Sequence, residues 1–211
     1  MKIEKVYITK SAQRLIRDIP ALKRAYFEIT KSIKSVTWPT GSSKCTINNS
    51  EKNINGVVPL KESCYVMLEK NYNWLREKSL KVLKEEKKKG GPIDVYKEFT
   101  GSSAFALKRV GLEFETGNIS SAHRSLNKLL LGLNRKELDL SVIMMPVKTL
   151  AYYLTDRVTN YEELEPYFEN VKRSAFIFIG FAAEAYDPSA PIIPKGPDGM
   201  SKRSVKRWKD V

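Results

Sequence analysis

Beyond Gly91-Pro92 the chain alternates apolar runs of strand length with stretches of helical period, and this alternation restricts the fold more than any other feature. Ile93 to Tyr96, Arg109 to Glu115, Leu140 to Val147 and Phe176-Ile177-Phe178-Ile179 read as strands. A helix is expected from Ser120, with Ala122, Leu126, Leu129, Leu130 and Leu133 as its apolar positions. A second is expected over Tyr161 to Phe168, shortened or bent by Pro166, whose ring and missing N–H interrupt a helical ladder. Strands mixed with covering helices predict an α/β domain around a central sheet. Before Gly90 the periodicity gives a helix over Ala21 to Val36 and another around Leu60, Cys64, Met67 and Leu68. The charged run Lys84 to Lys89 reads as a solvated helix end that Gly90-Gly91-Pro92 stops. With 211 residues and no repeat or linker, one domain spanning 1–211 is expected. After Pro191 periodicity is lost, so 191–211 reads as an irregular C-terminal arm with a basic tail.

The strand candidate Val110-Gly111-Leu112-Glu113-Phe114-Glu115 carries chemistry as well as structure. Strand side chains alternate between faces, so Val110, Leu112 and Phe114 share a core face. Glu113 and Glu115 share the other, about 7 Å apart. Two acids on one face repel, and a Lys, an Arg or a divalent metal is needed to offset them. A half-exposed strand with a solvated acidic face is the alternative. Asp94 lies in a second strand just after a turn. If the two strands are neighbours, Asp94 and Glu113 can share one hard cation. Mg²⁺ suits such a site, because it takes few carboxylates and fills its remaining positions with water and phosphate oxygens. It would polarise a scissile phosphate and stabilise the leaving oxygen. Glu115 would then take a proton from the attacking water, with a pKa raised by its acidic neighbours. As a bare pattern the acidic trio is common.

The charge balance indicates a partner. Lys and Arg total 37 against 24 acids, a net charge of +13, which favours a polyanion such as nucleic acid. No strongly basic amphipathic helix argues for a membrane surface instead. No apolar run approaches the roughly 20 residues of a bilayer span. Two cysteines are too few for a disulfide framework, and Cys45 and Cys64 read as core or surface thiols. A cytoplasmic location is expected.

Longer segments around these residues resemble the BamHI family of type II restriction endonucleases. They are Gly90 to Phe99, Glu113 to Ser125, Leu150 to Asn160 and Lys195 to Lys209, with the match densest from Gly90 to Phe168. The resemblance implies a restriction-endonuclease-like core, a central mixed β-sheet flanked by helices. It implies a prokaryotic homodimer that cleaves double-stranded DNA at GGATCC after the first G, with a companion methyltransferase in the cell. Asp94, Glu113 and the Phe114 carbonyl would bind metal, with Glu77 assisting at a second. Glu115 would be the general base where most of the superfamily carries Lys, and Lys61 would lie near the active-site phosphate. Asn118, Ser120, Arg124, Asp156 and Arg157 would read bases, and Gly196, Asp198, Gly199 and Met200 would reach the minor groove.

Part of this agrees with elementary chemistry. Ser120 is a natural cap for the helix that follows the catalytic strand. A helix N-terminus suits phosphate and base-edge contacts. Arg124 and Arg157 can bond guanine O6 and N7, and Asp156 can accept from cytosine N4. An Asp156–Arg157 surface ion pair and a disordered tail are the alternatives for these segments. His123, the single histidine, is expected to be structural or phosphate-facing. Departures from the family pattern fall at Gly101 to Leu107, at Pro197, at the early end at Val211 and at Asn134 and Arg135, which puts dimer ion pairs and fidelity in doubt. Two rivals are a non-catalytic DNA regulator and a basic RNA-binding protein. The first leaves the carboxylates without a purpose, and the second requires exposed aromatics where Phe176 to Phe178 look buried.

Overall fold

A computed structural model describes residues 1–82, 91–100 and 107–195. Along the chain run β1 (Lys2–Ile8), α1 (Lys10–Asp18), α2 (Pro20–Lys34), β2 (Thr46–Ile47), α3 (Val58–Tyr72), β3 (Leu75–Lys78), β4 (Ile93–Phe99) and β5 (Lys108–Phe114). Then come α4 (Ile119–Asn134), β6 (Leu140–Pro146), α5 (Lys148–Ala151), α6 (Tyr161–Leu164), a 3₁₀ segment (Glu165–Val171), β7 (Phe176–Ala182) and β8 (Ala185–Tyr186). The α/β expectation and the four sequence-read strands are all present, each within a few residues. The charged run from Lys84, residues 101–106 and the expected arm residues Gly196, Pro197, Asp198, Gly199 and Met200 lie outside the described residues.

Six strands form one mixed sheet in the order β1-β7-β6-β5-β4-β3. β5, β6 and β7 are mutually parallel, while β4 pairs antiparallel with β5 and β3 antiparallel with β4. The parallel strands need crossovers, which α4 and the α5-to-3₁₀ region supply. Both sheet faces are covered, so β6 and β7 are buried at every residue. On one face Leu22, Ile29, Ile33, Leu60 and Leu68 of α2 and α3 pack on Val95, Leu112, Phe114, Val142 and Ile177. On the other, Ala122, Leu126 and Leu129 of α4, with Leu164 and Phe168, pack on Ile143, Met145, Phe176 and Phe178. Each fully buried Leu, Ile, Val, Met or Phe among them contributes about 1.5–3 kcal/mol of transfer free energy. Phe176 and Phe178 are 0% exposed, so this sheet offers no aromatic platform for stacking bases at those positions. Cys45 and Cys64 are buried free thiols, as read from the sequence.

Gly111 lets α4 settle onto β5. A Cβ there would stand 3.0 Å from a methyl of Leu138 and 3.2 Å from one of Leu129. The Tyr161 to Phe168 segment is not one helix. It makes a single α-turn and tightens to 3₁₀ from Glu165, where Pro166 has no N–H for an α-ladder.

Candidate active site

The acidic residues form a row across three neighbouring strands. On β3 and β4, Arg76 pairs with Val95 and Lys78 with Ile93, which leaves Glu77 across from Asp94. On β4 and β5, Val95 pairs with Leu112, and one step further along Asp94 stands beside Glu113. The neighbouring strands that the sequence could only suppose are therefore present. Glu77 is exposed and sits at φ 56°, a left-handed backbone that costs a non-glycine residue free energy and often marks functional positions. The row opens into a cleft of about 660 Å³ whose lining includes Glu77, Asp94, Glu113, Phe114 and Glu115. Lys61, Arg124, Lys128 and Lys195 line the same cleft, so a basic wall surrounds an acidic floor.

The floor is not a solvated strand face. Glu113 is 4% exposed and Glu115 7% exposed, because α4 lies over that side of β5. Asp94 Oδ2 accepts from the Tyr65 hydroxyl at 2.6 Å and from the Phe114 N–H at 3.1 Å. Glu115 Oε1 accepts from the Gly117 N–H at 2.7 Å and its Oε2 from Ser125 Oγ at 2.9 Å. The same hydroxyl lies 3.2 Å from Glu113 Oε2. Gly117 is needed for this closed turn, since a Cβ would meet Glu115 Oε1 and Ser121 Cβ, each at 2.9 Å. Burial, reinforced by the charge of Asp94, pushes Glu113 up to about 7 against the opposing pull of Lys128. Burial also raises Glu115, against the Gly117 and Ser125 hydrogen bonds.

The cation that the strand alternation requires is Lys128. Its Nζ lies 2.7 Å from Glu113 Oε1 and donates to the Pro92 carbonyl at 2.6 Å. The approach to Oε1 is off the direction of a hydrogen bond, so this oxygen is buried and ion-paired without a directed donor. An oxygen in that state, beside a second carboxylate and open room, fits a hard divalent cation that retains several waters. Among the described residues, no three acids, histidines or cysteines form a complete cage for such an ion.

The remaining sequence-predicted residues flank the cleft. Asn118, not Ser120, caps α4. Asn118 is extended at φ −78° and ψ 172°, and its side chain accepts from the Ser121 N–H at 3.0 Å. Ser120 falls inside the first turn and is exposed, as is Arg124 one turn on. The Thr159 N–H donates to the Gly117 carbonyl at 2.7 Å, which ties the loop of Asp156 and Arg157 to the start of α4. Arg157 has φ 63°, and its Nε lies 3.5 Å from Asp156 Oδ2 with both side chains largely exposed. The surface ion pair left open by the sequence is thus present, in a loose form. Lys61 holds its ammonium 5.8 Å from the centre of the Tyr65 ring. His123 stands edge-on to Tyr167 at 4.3 Å, a packing role. Asn134 ends α4 and Arg135 is its C-cap.

Tyr65, Ser125 and Lys128 escaped the sequence reading. Ser121, Ser125 and Lys128 follow one another at helical steps of four and three, and so share a stripe of α4. That stripe, adjoining the apolar one and facing two strand acids, was the available signal for Ser125 and Lys128. Nothing local marks Tyr65.

Comparison with known proteins agrees with the geometry. The family model for restriction endonuclease BamHI matches residues 1–200. The chain is 64% identical over 210 residues to the type II restriction enzyme BamHI of Bacillus amyloliquefaciens, covering 100% of this chain and 98% of that protein. It is 37% identical over 191 residues to the type II restriction enzyme OkrAI of Oceanobacter kriegii, covering 88% of this chain and 93% of that protein. Among solved structures it is similar to restriction endonuclease BglII complexed with a DNA 16-mer. That likeness has a TM-score of 0.62 at 10% identity, covering 87% of this chain and 79% of the other, and speaks for the fold alone. A mixed six-stranded sheet with an acidic row at its β3–β5 side, matched over nearly its whole length by these relatives, belongs to the BamHI family: the chain is a type II restriction endonuclease, a site-specific deoxyribonuclease.

Proposed function

We propose that this enzyme cleaves double-stranded DNA at GGATCC after the first G, in a Mg²⁺-dependent hydrolysis that leaves 5′-phosphate ends and GATC overhangs. The observation that carries the reading is the buried pair Glu113 and Glu115 beside Asp94, opening into a cleft with basic walls. High identity over the full length to a BamHI enzyme supports the target sequence.

Asp94, Glu113 and the Phe114 carbonyl would hold the cation, and Glu77, on the exposed edge strand, would assist at a second. When bound, Mg²⁺ supplies polarisation of the scissile phosphate and charge for the leaving oxygen. Tyr65 and the Phe114 N–H hold the Asp94 carboxylate in one orientation. Glu115, fixed at both oxygens, accepts the proton of the attacking water. Lys61 meets the phosphate at the cleft wall.

Asn118, Ser120, Arg124, Asp156 and Arg157 read the bases. The 3.5 Å contact between Asp156 and Arg157 is exposed and stabilises little, so both side chains are available to cytosine N4 and to guanine O6 and N7. Gly196, Asp198, Gly199 and Met200 reach the minor groove from the arm that follows Lys195. A palindrome calls for a two-fold homodimer, each subunit cutting one strand. Ser121 to Leu133 of α4 and the segment from Tyr161 to Phe168 would form its interface. The enzyme would act in a prokaryotic cytoplasm beside a methyltransferase that protects the host sites, as one domain.

Plasmid DNA incubated with the protein and Mg²⁺ should give discrete fragments whose sequenced ends carry GATC overhangs, and EDTA should abolish them. Fragments with other ends would overturn the target sequence. Binding without cleavage in every divalent metal would overturn the catalytic assignment.

A further inference from the structure

Lys128 has no part in the reaction set out above, yet its ammonium is in contact with that reaction's acidic floor. Its side chain is 9% exposed and that of Glu113 is 5% exposed, so neither charge is dissolved in bulk water. The ammonium is anchored from both sides, by the Pro92 carbonyl at 2.6 Å just before β4 and by Glu113 Oε1 at 2.7 Å on β5. A buried charge with no partner is strongly unfavourable, so a carboxylate in this place needs a counterion in the cleft when no divalent cation is there. The contact with Oε1 is poorly directed, which leaves that oxygen with an unused lone pair.

We propose that Lys128 is a built-in countercation of the cleft: it neutralises Glu113 while no divalent ion is bound, and it opposes the entering ion at the same carboxylate. This rests on the reading of Glu113 as a cation ligand. A divalent cation and an ammonium at one carboxylate repel each other, and at an interior separation of a few ångströms this weakens divalent binding by at least about tenfold. The enzyme free of DNA is thereby kept folded, with a low affinity for the ion its chemistry uses. Lys128 is a positioning residue in this scheme.

The test uses the full-length protein without DNA, melted at one fixed pH in EDTA and in a rising Mg²⁺ series. Lys128→Gln removes the charge and keeps an N–H donor for the Pro92 carbonyl. Its half-stabilising Mg²⁺ concentration should fall about tenfold below that of the unmodified protein, with a larger total rise in Tm. Lys128→Met should move in the same direction, and Lys128→Arg should keep the original midpoint. Asp94→Asn, which removes a proposed ligand, should lose the response to Mg²⁺. A lower Tm for Lys128→Gln with an unchanged Mg²⁺ midpoint would make Lys128 merely structural and overturn the proposal. In that case a lost response in Asp94→Asn would leave the cation reading standing. If no variant responds to Mg²⁺, with or without a DNA duplex, the cation reading fails and takes the proposal with it.

Discussion

Glu115, the proposed general base, shows how a single residue's environment shapes its pH dependence. Burial raises its pKa, while the Gly117 N–H and the Ser125 hydroxyl lower it by bonding to the charged form. A general base works deprotonated, so cleavage should fall as pH drops through this raised value. Ser125→Ala removes a donor to the carboxylate, raises the pKa further and should move the acidic limb of the pH–rate profile to higher pH. An unmoved limb would show that Glu115 does not set it. Glu115→Gln should lower the cleavage rate by about 10²–10⁴-fold, the usual worth of a general base, with DNA binding retained. Tyr65 acts one step further out, through its 2.6 Å hydrogen bond to Asp94. Tyr65→Phe should lower cleavage about 10–100-fold, as is typical when a ligand loses its orienting partner. Single-turnover kinetics checks this, with kcat rather than DNA affinity expected to change. At this scale the acids were legible, because strand alternation and the turn just before Asp94 are local. Tyr65 was not, because its contact with Asp94 joins elements 29 residues apart.

Elements were legible where period and length agreed, and less so where a terminus depends on tertiary contacts. The start of α4 is set by which side chain reaches back to the Ser121 N–H, and Asn118 in extended backbone does so while Ser120 already lies in the turn. The segment around Pro166 read as one helix because its apolar spacing is helical, yet the missing N–H divides it into an α-turn and a 3₁₀ stretch. Asn160 and Glu163 close a capping box at the start of that turn. Glu162, next to them, links three elements. Its carboxylate accepts from the Lys148 N–H at 2.8 Å, so capping α5, and meets Lys5 of β1 at 3.0 Å. Burial alone would raise its pKa, but the Lys5 and Lys148 bonds outweigh this and hold it below the usual carboxylate range. A pKa depressed by folding means stability that is present above the unfolded value and is lost as pH falls through the folded one. Glu162→Gln should therefore cost about 1 kcal/mol at neutral pH, and the difference from the unmodified protein should vanish in acid. Urea melts across a pH series measure it. A penalty that stayed constant with pH would place the effect in packing.

At the scale of the whole molecule, the sheet order was not legible, because nothing local says that β1 from the start of the chain pairs with β7 near its end. The resemblance supplied the mixed sheet, and the apolar runs supplied its two covered faces. A second long-range tie is equally hidden in the sequence. Asn55 is fully buried and joins three distant segments. Its Nδ2 donates to the Asn48 carbonyl at 2.7 Å and to the Tyr153 carbonyl at 3.0 Å, and its Oδ1 accepts from the Ile193 N–H at 3.2 Å. The backbone next to it repeats the link, since the Gly56 N–H donates to the Ile193 carbonyl at 2.8 Å. These bonds fix the chain that leads to Lys195, which reaches the cleft wall lined by Gly56 and Lys61. The segment from which the proposed minor-groove arm departs is therefore held by a buried amide far from it in sequence, together with the burial of its own Ile193. Asn55→Asp has the same shape, but it turns two donated bonds into contacts between a buried oxygen and two carbonyls. The expected cost is about 3 kcal/mol, measured as a lower urea midpoint with an unchanged m-value. Because the Asp carboxylate, repelled by the Asn48 and Tyr153 carbonyls, also draws away from the Ile193 N–H, susceptibility to proteolysis between Pro191 and Lys195 should rise before the core unfolds. If global stability falls while that segment stays protected, Asn55 serves the core alone and the arm is positioned by Gly56 and its neighbours.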